Sequence, residues 1–553
     1  MKLFKISIFI LGLVFLSACT DDSAISSETE ASEGEEGGDL VVSYPSDAGS
    51  LDPAGVNDMA SDQRRQVIYE GLISLDDNLE PKALLAEDFK QVDDTTWHFT
   101  LKEGVKFHDG SSLTADAVKA SIDRIKDPAM ASSRAYIFDM IDEVNVIDDY
   151  TVEIKTGDTF APLLSYLSHD GAGIISKQVI DEDYQNALNE AEIDMSLEEF
   201  YALREEGGEK YTDIAKKVSE YTGTIVEKKP TGTGYMKFQS RSPGEKVVVE
   251  RFDEYWDGPV NLDTVTFKIV TEDASRIAEL ESGQSQLIQG FDVGQVERLE
   301  SNPNINVLPV YNISTEFVGM NTQKGPLKDK RVRQAIGHLI DKDSIMEGIY
   351  LNMGRTMKGA IQEEVLGYDE NLEDLEYNPS KAKTLLKEAG YEDGFDLKLL
   401  TNDVPDRVDI AVYLQEELKT VDINIEIEQL EWGTYLEAVS SGEQDLFILG
   451  WPNTVGDPDQ GLWPILHSSM LGNGGNRFFF ENEAVDQLLE EGRRELDSNK
   501  RAEIYQEINE ILVEEQPAVF VKQAEYPNAM TANVHGLEID QFGHPDFRKV
   551  TLD

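Results

Sequence analysis

The sequence predicts an α/β protein of two or three domains. Strand-period and helix-period segments alternate along the chain, and the helical segments carry their own start and stop residues. More than 500 of the 553 residues follow a short N-terminal export segment, enough for several apolar cores.

The export segment comes first. Lys2 and Lys5 give a positive start, Ile6 to Leu16 an apolar run too short to span a membrane, and Leu16-Ser17-Ala18-Cys19 a cleavage region. Residues 1–18 therefore read as a signal peptide. Cys19 is the only cysteine of the chain, and its place behind small residues resembles the lipobox of bacterial lipoproteins, whose cysteine accepts diacylglycerol through a thioether. With one thiol no intrachain disulfide can form, so stability must come from burial. Residues 19–38, made of Ser, Thr, Glu, Asp and Gly with almost no large apolar side chain, read as a disordered acidic tether. No later stretch approaches the roughly 20 apolar residues of a membrane-crossing helix. The expected molecule is a soluble body anchored at one end.

The strand and helix signals behind this reading are local. Trp97, Phe99 and Leu101 alternate with His98 and Thr100, and Ile423, Ile425 and Ile427 with Asn424 and Glu426, as in half-buried strands. Asn378 as N-cap, Pro379 in the first turn, an apolar face of Ala382, Leu385, Leu386 and Ala389, and Gly390 as stop define one helix. A second runs from Thr271 to Gly283, and a pair lies between Glu483 and Glu515. Within residues 181–222, Ser196 with Glu199 forms a capping-box signal, Gly207-Gly208 a break, and Tyr211, Ile214, Val218 and Tyr221 an amphipathic face; the segment reads as an inserted helical hairpin.

The formal net charge of −58, from 107 acidic against 49 basic side chains, disfavours nucleic acid and anionic membrane surfaces as partners. Acidic residues recur in nearly every segment, which reads as a surface adaptation to high salt or high pH. Catalytic signatures are missing from the sequence: there is no Gly-x-Ser-x-Gly, His-Glu-x-x-His or phosphate loop, and the seven histidines show no metal-ligand spacing. No enzyme, cofactor or dedicated metal site is expected. Asp457-Pro458-Asp459-Gln460-Gly461 brushes against a calcium-loop pattern but reads better as a turn with a helix cap.

Several segments, in order, resemble family 5 of the bacterial extracellular solute-binding proteins. They are Ser50-Leu51-Asp52-Pro53-Ala54, Val67-Ile68-Tyr69-Glu70-Gly71-Leu72, the run from Trp97 to Gly110 with Leu113-Thr114-Ala115-Asp116-Ala117-Val118, Pro230-Thr231-Gly232-Thr233-Gly234-Tyr235, Asp329 to Ile336, and Tyr377-Asn378-Pro379. The resemblance implies a two-lobed periplasmic-binding-protein type II clamshell with an extra α/β subdomain on the first lobe. It places lobe I at 39–87, 223–312 and 522–553, the subdomain at 88–222, lobe II at 313–521, and the crossings near Tyr311 to Glu316 and Val519 to Glu525. The implied function is that of a monomeric, lipid-anchored receptor on the outer face of the cell membrane, periplasmic in a Gram-negative cell. It would capture a dipeptide, oligopeptide or glutathione-like solute and pass it to an ABC permease and its ATPase. Receptors for a metal chelate or an oligosaccharide, and a peptide-sensing receptor, stay open as alternatives.

The strand pattern Asp445 to Leu449 ends at Gly450-Trp451-Pro452 and a polar loop, where ligands sit in open α/β sheets. The resemblance makes Trp451 a ligand contact, offering an indole face and one N–H. Where dipeptide binders carry an Asp for the ligand ammonium, this chain has Thr454, which forgoes a charge-assisted bond worth about 1.5–3 kcal/mol. Gly450-Trp451 with Thr454, Gly456, Asp457 and Asp459, and the later Gly474-Gly475-Asn476-Arg477, look closer to glutathione-binding members, and Asn453, Thr454 and Asp457 are expected ligand contacts. Arg407 is carried over as the clamp of a ligand carboxylate, with pairing to Asp403 or Asp406 as the alternative, and Asn476 and Arg477 as further candidates. Asp58, Met59, Ala60 and Thr233 are expected to line the opposite wall.

Overall fold

The computed structural model describes residues 37–553. The export signal, Cys19 and the tether up to residue 36 lie outside the described residues.

The strand Leu446–Pro452 is almost continuously apolar, a pattern that needs cover on both faces. It receives it at the centre of one half of a long mixed sheet, beside the parallel strand Phe395–Thr401 and, beyond that, Ile423–Gln429. The capped segment 378–390 forms the helix Pro379–Glu388, with the Asn378 side chain accepting from the Lys381 N–H, and packs its Leu385 and Leu386 into this half's core. In the other half Asp39–Tyr44 lies between Thr264–Ile269 and Leu287–Gln289, both parallel to it. Lys246–Arg251 and Met236–Ser242 extend the edge. Each half has its own apolar core, so the molecule is two lobes.

Two long antiparallel strands, Ile305–Met320 and Ala518–Thr531, carry the chain between the lobes. Residues 305–311 pair with 525–531 in the first lobe, and Ser314 to Met320 pair with Leu446 to Pro452 in the second. Between Tyr311 and Thr315 the register jumps, leaving a bulge of the kind that bends a strand. The bend falls where one lobe hands over to the other.

The first lobe carries an antiparallel sheet in the order Ala86–Asp93, Thr96–Leu101, Thr151–Thr156, Ile141–Asp148, backed by the helix Ala115–Lys126. Phe99 and Leu101 turn inward there with Val152 and Ile154, forming a separate core. Residues 177–228 form four helices, Lys177–Glu190, Leu197–Glu206, Gly208–Val218 and Thr224–Lys228. The Ser196–Glu199 capping box is present. Tyr184, Phe200, Tyr211 and Val218 share the core of the first lobe's main sheet, not that of the four-stranded sheet. A buried ion network ties this segment down: Arg124 holds Asp52 with two bonds (2.8 and 2.6 Å) and Asp183 at 3.2 Å, and Asp183 accepts the N–H groups of Gly223 and Ile225.

No described helix is long and apolar enough to cross a membrane.

Candidate functional site

The loop after Leu446–Pro452 is built by its own polar side chains. Asn453 is buried, with its amide donating to the Asp457 carbonyl (2.9 Å) and its N–H to the Ile313 carbonyl (3.0 Å). Asp457 caps the helix Pro458–Leu466 by accepting the Asp459 N–H and is held by both terminal nitrogens of Arg501 at 2.6 Å. The cap-and-turn reading of this stretch is what the structure contains.

Between this loop and the first lobe's extra subdomain lies a cavity of about 850 Å³, within the size range of small-molecule sites. One wall is Trp451, Trp463, Met470 and Arg477 of the second lobe; the other is Met140, Phe160 and Tyr166 of the subdomain. Trp463 is stacked by the His467 ring at 3.8 Å and by the Arg493 guanidinium at 3.3 Å, which fixes its plane. Trp451 spends its N–H on the Gln460 carbonyl (3.2 Å), so what it offers the cavity is its ring and not, as the sequence reading had it, a donor as well.

Charge in the cavity is uneven. Arg493 is neutralised by the fully buried Asp459 (2.6 Å), and Arg494 pairs with Asp158 of the subdomain at 2.8 Å. Arg477 is half-buried and donates from Nε to the Ser440 hydroxyl (3.1 Å), and among the described residues no carboxylate lies within ion-pair distance of it. Burial pushes its guanidinium below the usual arginine range, as expected for a cation stripped of water and of a counter-ion. A guanidinium so placed keeps donors that a carboxylate could accept from.

Of the residues predicted from sequence, Trp451 and Arg477 line this cavity. Arg407 does not: Glu316 holds its Nη2 at 2.7 Å and Nε at 3.1 Å, so its partner is neither a free cleft nor Asp403 or Asp406. Asn476 is fully buried and staples its loop, donating to the carbonyls of Leu466, His467 and Phe480. Thr233 is also buried, with its hydroxyl on Glu70 (2.7 Å), beside the Tyr255 and Trp256 donors to the same carboxylate. Asp58 caps the helix Met59–Arg65 through Ser61; Met59 is exposed and the Ala60 carbonyl accepts from Arg64. Thr454 is half-buried, and its backbone N–H donates to the Gln460 side chain. Sequence reasoning missed Phe160, Tyr166 and Arg493, whose local patterns are those of ordinary core or helix-surface residues.

Residues 80–473 match the family model described as bacterial extracellular solute-binding proteins, family 5 middle. The chain is 27% identical over 492 residues to the dipeptide-binding protein of Escherichia coli K12, covering 85% of this chain and 86% of that one. It is 26% identical over 510 residues to the glutathione-binding protein GsiB of Salmonella typhi, covering 91% and 92%. Among solved structures, the periplasmic binding protein DppA of Helicobacter pylori in complex with the peptide STSA superposes with a TM-score of 0.74 at 28% identity, covering 94% of this chain and 98% of that one. A match spanning most of the sequence, on two lobes joined by two strands around a cavity, makes this chain a member of family 5 of the bacterial extracellular solute-binding proteins, binding proteins and not enzymes.

Proposed function

We propose that this protein is the receptor of an ABC importer for a short peptide or glutathione-like solute, which it captures between its lobes and delivers to a permease driven by an ATPase. The observation that carries the reading is the uncompensated Arg477 guanidinium in an aromatic-walled interlobe cavity of about 850 Å³. An extended peptide presents one carboxylate that such a group can hold, and backbone groups whose recognition is indifferent to side chains. Arg407, already neutralised by Glu316, is left out of that role. The names of the relatives above, a dipeptide-binding and a glutathione-binding protein, point to the same solute class. Closure follows solute only to the extent that the closed form binds it more tightly. Anchoring through diacylglyceryl Cys19 on the outer face of the membrane, and a monomeric state, belong to the same proposal.

The test is mass spectrometry of what co-purifies with the chain, followed by calorimetry with dipeptides, oligopeptides, glutathione, a nickel chelate and an oligosaccharide. Tight peptide or glutathione binding that falls at least tenfold in Arg477→Ala supports the reading. Tight binding confined to the chelate or the sugar refutes it.

A further inference from the structure

The loop that shapes the cavity also fastens the two lobes to each other directly. Val455, in the second lobe's loop, is wholly buried in the apolar core of the first lobe's subdomain, with Leu72, Leu163 and Leu167 in the same cluster. Gly456 follows with φ of +69°, a left-handed conformation that favours glycine, and a Cβ there would press on Leu75 and Leu79 of the first lobe at 3.1 Å. Three residues on, the buried Asp459 carboxylate accepts the Tyr166 hydroxyl on Oδ2 at 2.7 Å, while Arg493 holds its Oδ1 at 2.6 Å. The Arg493 carbonyl in turn accepts the Ala161 N–H at 2.7 Å.

These contacts differ in what survives if the lobes part. Asp459 and Arg493 both belong to the second lobe and stay paired in any lobe position. From the other side the Ala161 N–H donates to a neutral carbonyl, whereas Tyr166 donates to a carboxylate. Its bond to Asp459 exists only when the lobes are together, is shielded from water, and ends on a charged acceptor, which makes it one of the stronger kinds of neutral-donor hydrogen bond. We propose that Tyr166 and Asp459 form a latch that sets the open–closed balance of the lobes by a bond between the lobes themselves. Tyr166 is then a positioning residue: its ring lines the cavity, and its hydroxyl acts through Asp459 on the population able to hold a solute. The receptor reading supplies only the consequence of the latch, a tuned affinity, and the latch can be measured with no solute at all.

The experiment uses the full chain carrying Cys19→Ser, with nitroxide labels on Glu143→Cys and Gln487→Cys, two exposed positions on the elements that flank the cavity mouth. Pulsed electron spin resonance gives the interlobe distance distribution without added solute. Tyr166→Phe, which removes one oxygen and leaves the packing, is expected to raise the ratio of long to short distances about tenfold. Asp459→Asn, which keeps an acceptor but not its charge, should move it in the same direction. Circular dichroism melts report that each variant is folded. A folded variant of either kind with the unaltered distance distribution overturns the latch. Failure of every peptide to bind would sink the proposed function and leave this result standing.

Discussion

Glu316, on the strand that carries the chain from the first lobe to the second, grips Arg407 with both carboxylate oxygens, and the pair lies over Gly450. A Cβ at Gly450 would fall 2.9 Å from Glu316 Oε1 and 3.2 Å from Arg407 Nη2, so the glycine before Trp451 makes room for an ion pair and not for a solute. The Glu316 carboxylate holds the Arg407 guanidinium above its ordinary range despite burial. Arg407→Ala should therefore cost about 2–3 kcal/mol of stability, because it strands a largely buried carboxylate. It should change solute affinity less than Arg477→Ala does. Urea unfolding and calorimetry on the two variants check this; a larger affinity loss for Arg407→Ala would restore it as the clamp.

Arg124 is wholly buried between Asp52 and Asp183, and Asp183 anchors the turn at Gly223 and Ile225. Arg124→Ala leaves two buried carboxylates without their cation, a change that costs about 3–5 kcal/mol. The loss should show as a lower urea midpoint and as earlier proteolysis within residues 177–228. An unchanged midpoint would mean that the helical segment is held by its apolar contacts alone.

What the sequence made legible was whatever depends on near neighbours. The Asn378 and Ser196 caps, the Gly283 and Gly390 stops, the inward alternation of Phe99 and Leu101 and the strand ending at Trp451 all rest on residues a few positions apart. The bend near Tyr311 falls at the start of the stretch, Tyr311 to Glu316, where the family resemblance implied a crossing. The cavity was harder. Trp451 and Arg477 line it, but Asn476 and Asp457 are polar residues spent on backbone and on Arg501, and Thr233 is spent on Glu70. A buried polar group must find a partner, and which one it finds is set by the folded chain: the partners lie 44 residues away for Asp457, 163 for Thr233 and 293 for Tyr166. Tyr166 and Asp459 meet across such a gap.

His544 sits in the C-terminal loop beside the hinge, with Asp540 3.4 Å from Nδ1, Asp170 3.7 Å from Nε2, and Asp62 beyond. Burial by itself would lower its pKa, but these carboxylates outweigh it and push the imidazole up to about 10. A base whose folded pKa is raised contributes stability that is complete below its unfolded value near 6.5 and is lost as pH rises toward 10. The melting temperature should therefore fall across that window in the native chain more steeply than in His544→Gln. Parallel curves for the two would show that the imidazole is neutral in the fold.

Cys19→Ser should move the protein from the membrane fraction to the soluble fraction without altering solute binding, since the residues that line the cavity all come from position 136 onward. Metabolic labelling with a radioactive fatty acid gives the complementary readout. Label retained by the variant would place the lipid on another residue, and no label on the native chain would mean that none is attached.

Trp451 forms the second-lobe wall of the cavity, yet its N–H is already on the Gln460 carbonyl, so two roles must be separated. Trp451→Ala removes both, and with them an aromatic face of the kind that dominates binding energies; affinity should fall at least about thirtyfold. Trp451→Phe keeps a ring on the wall and loses only the internal hydrogen bond. If the ring is what the solute meets, the phenylalanine variant should recover most of the affinity while losing about 1 kcal/mol of stability. If both variants lose affinity equally, the tryptophan works by holding the loop at Gln460, and the wall that matters is the one built from Met140, Phe160 and Tyr166 across the gap.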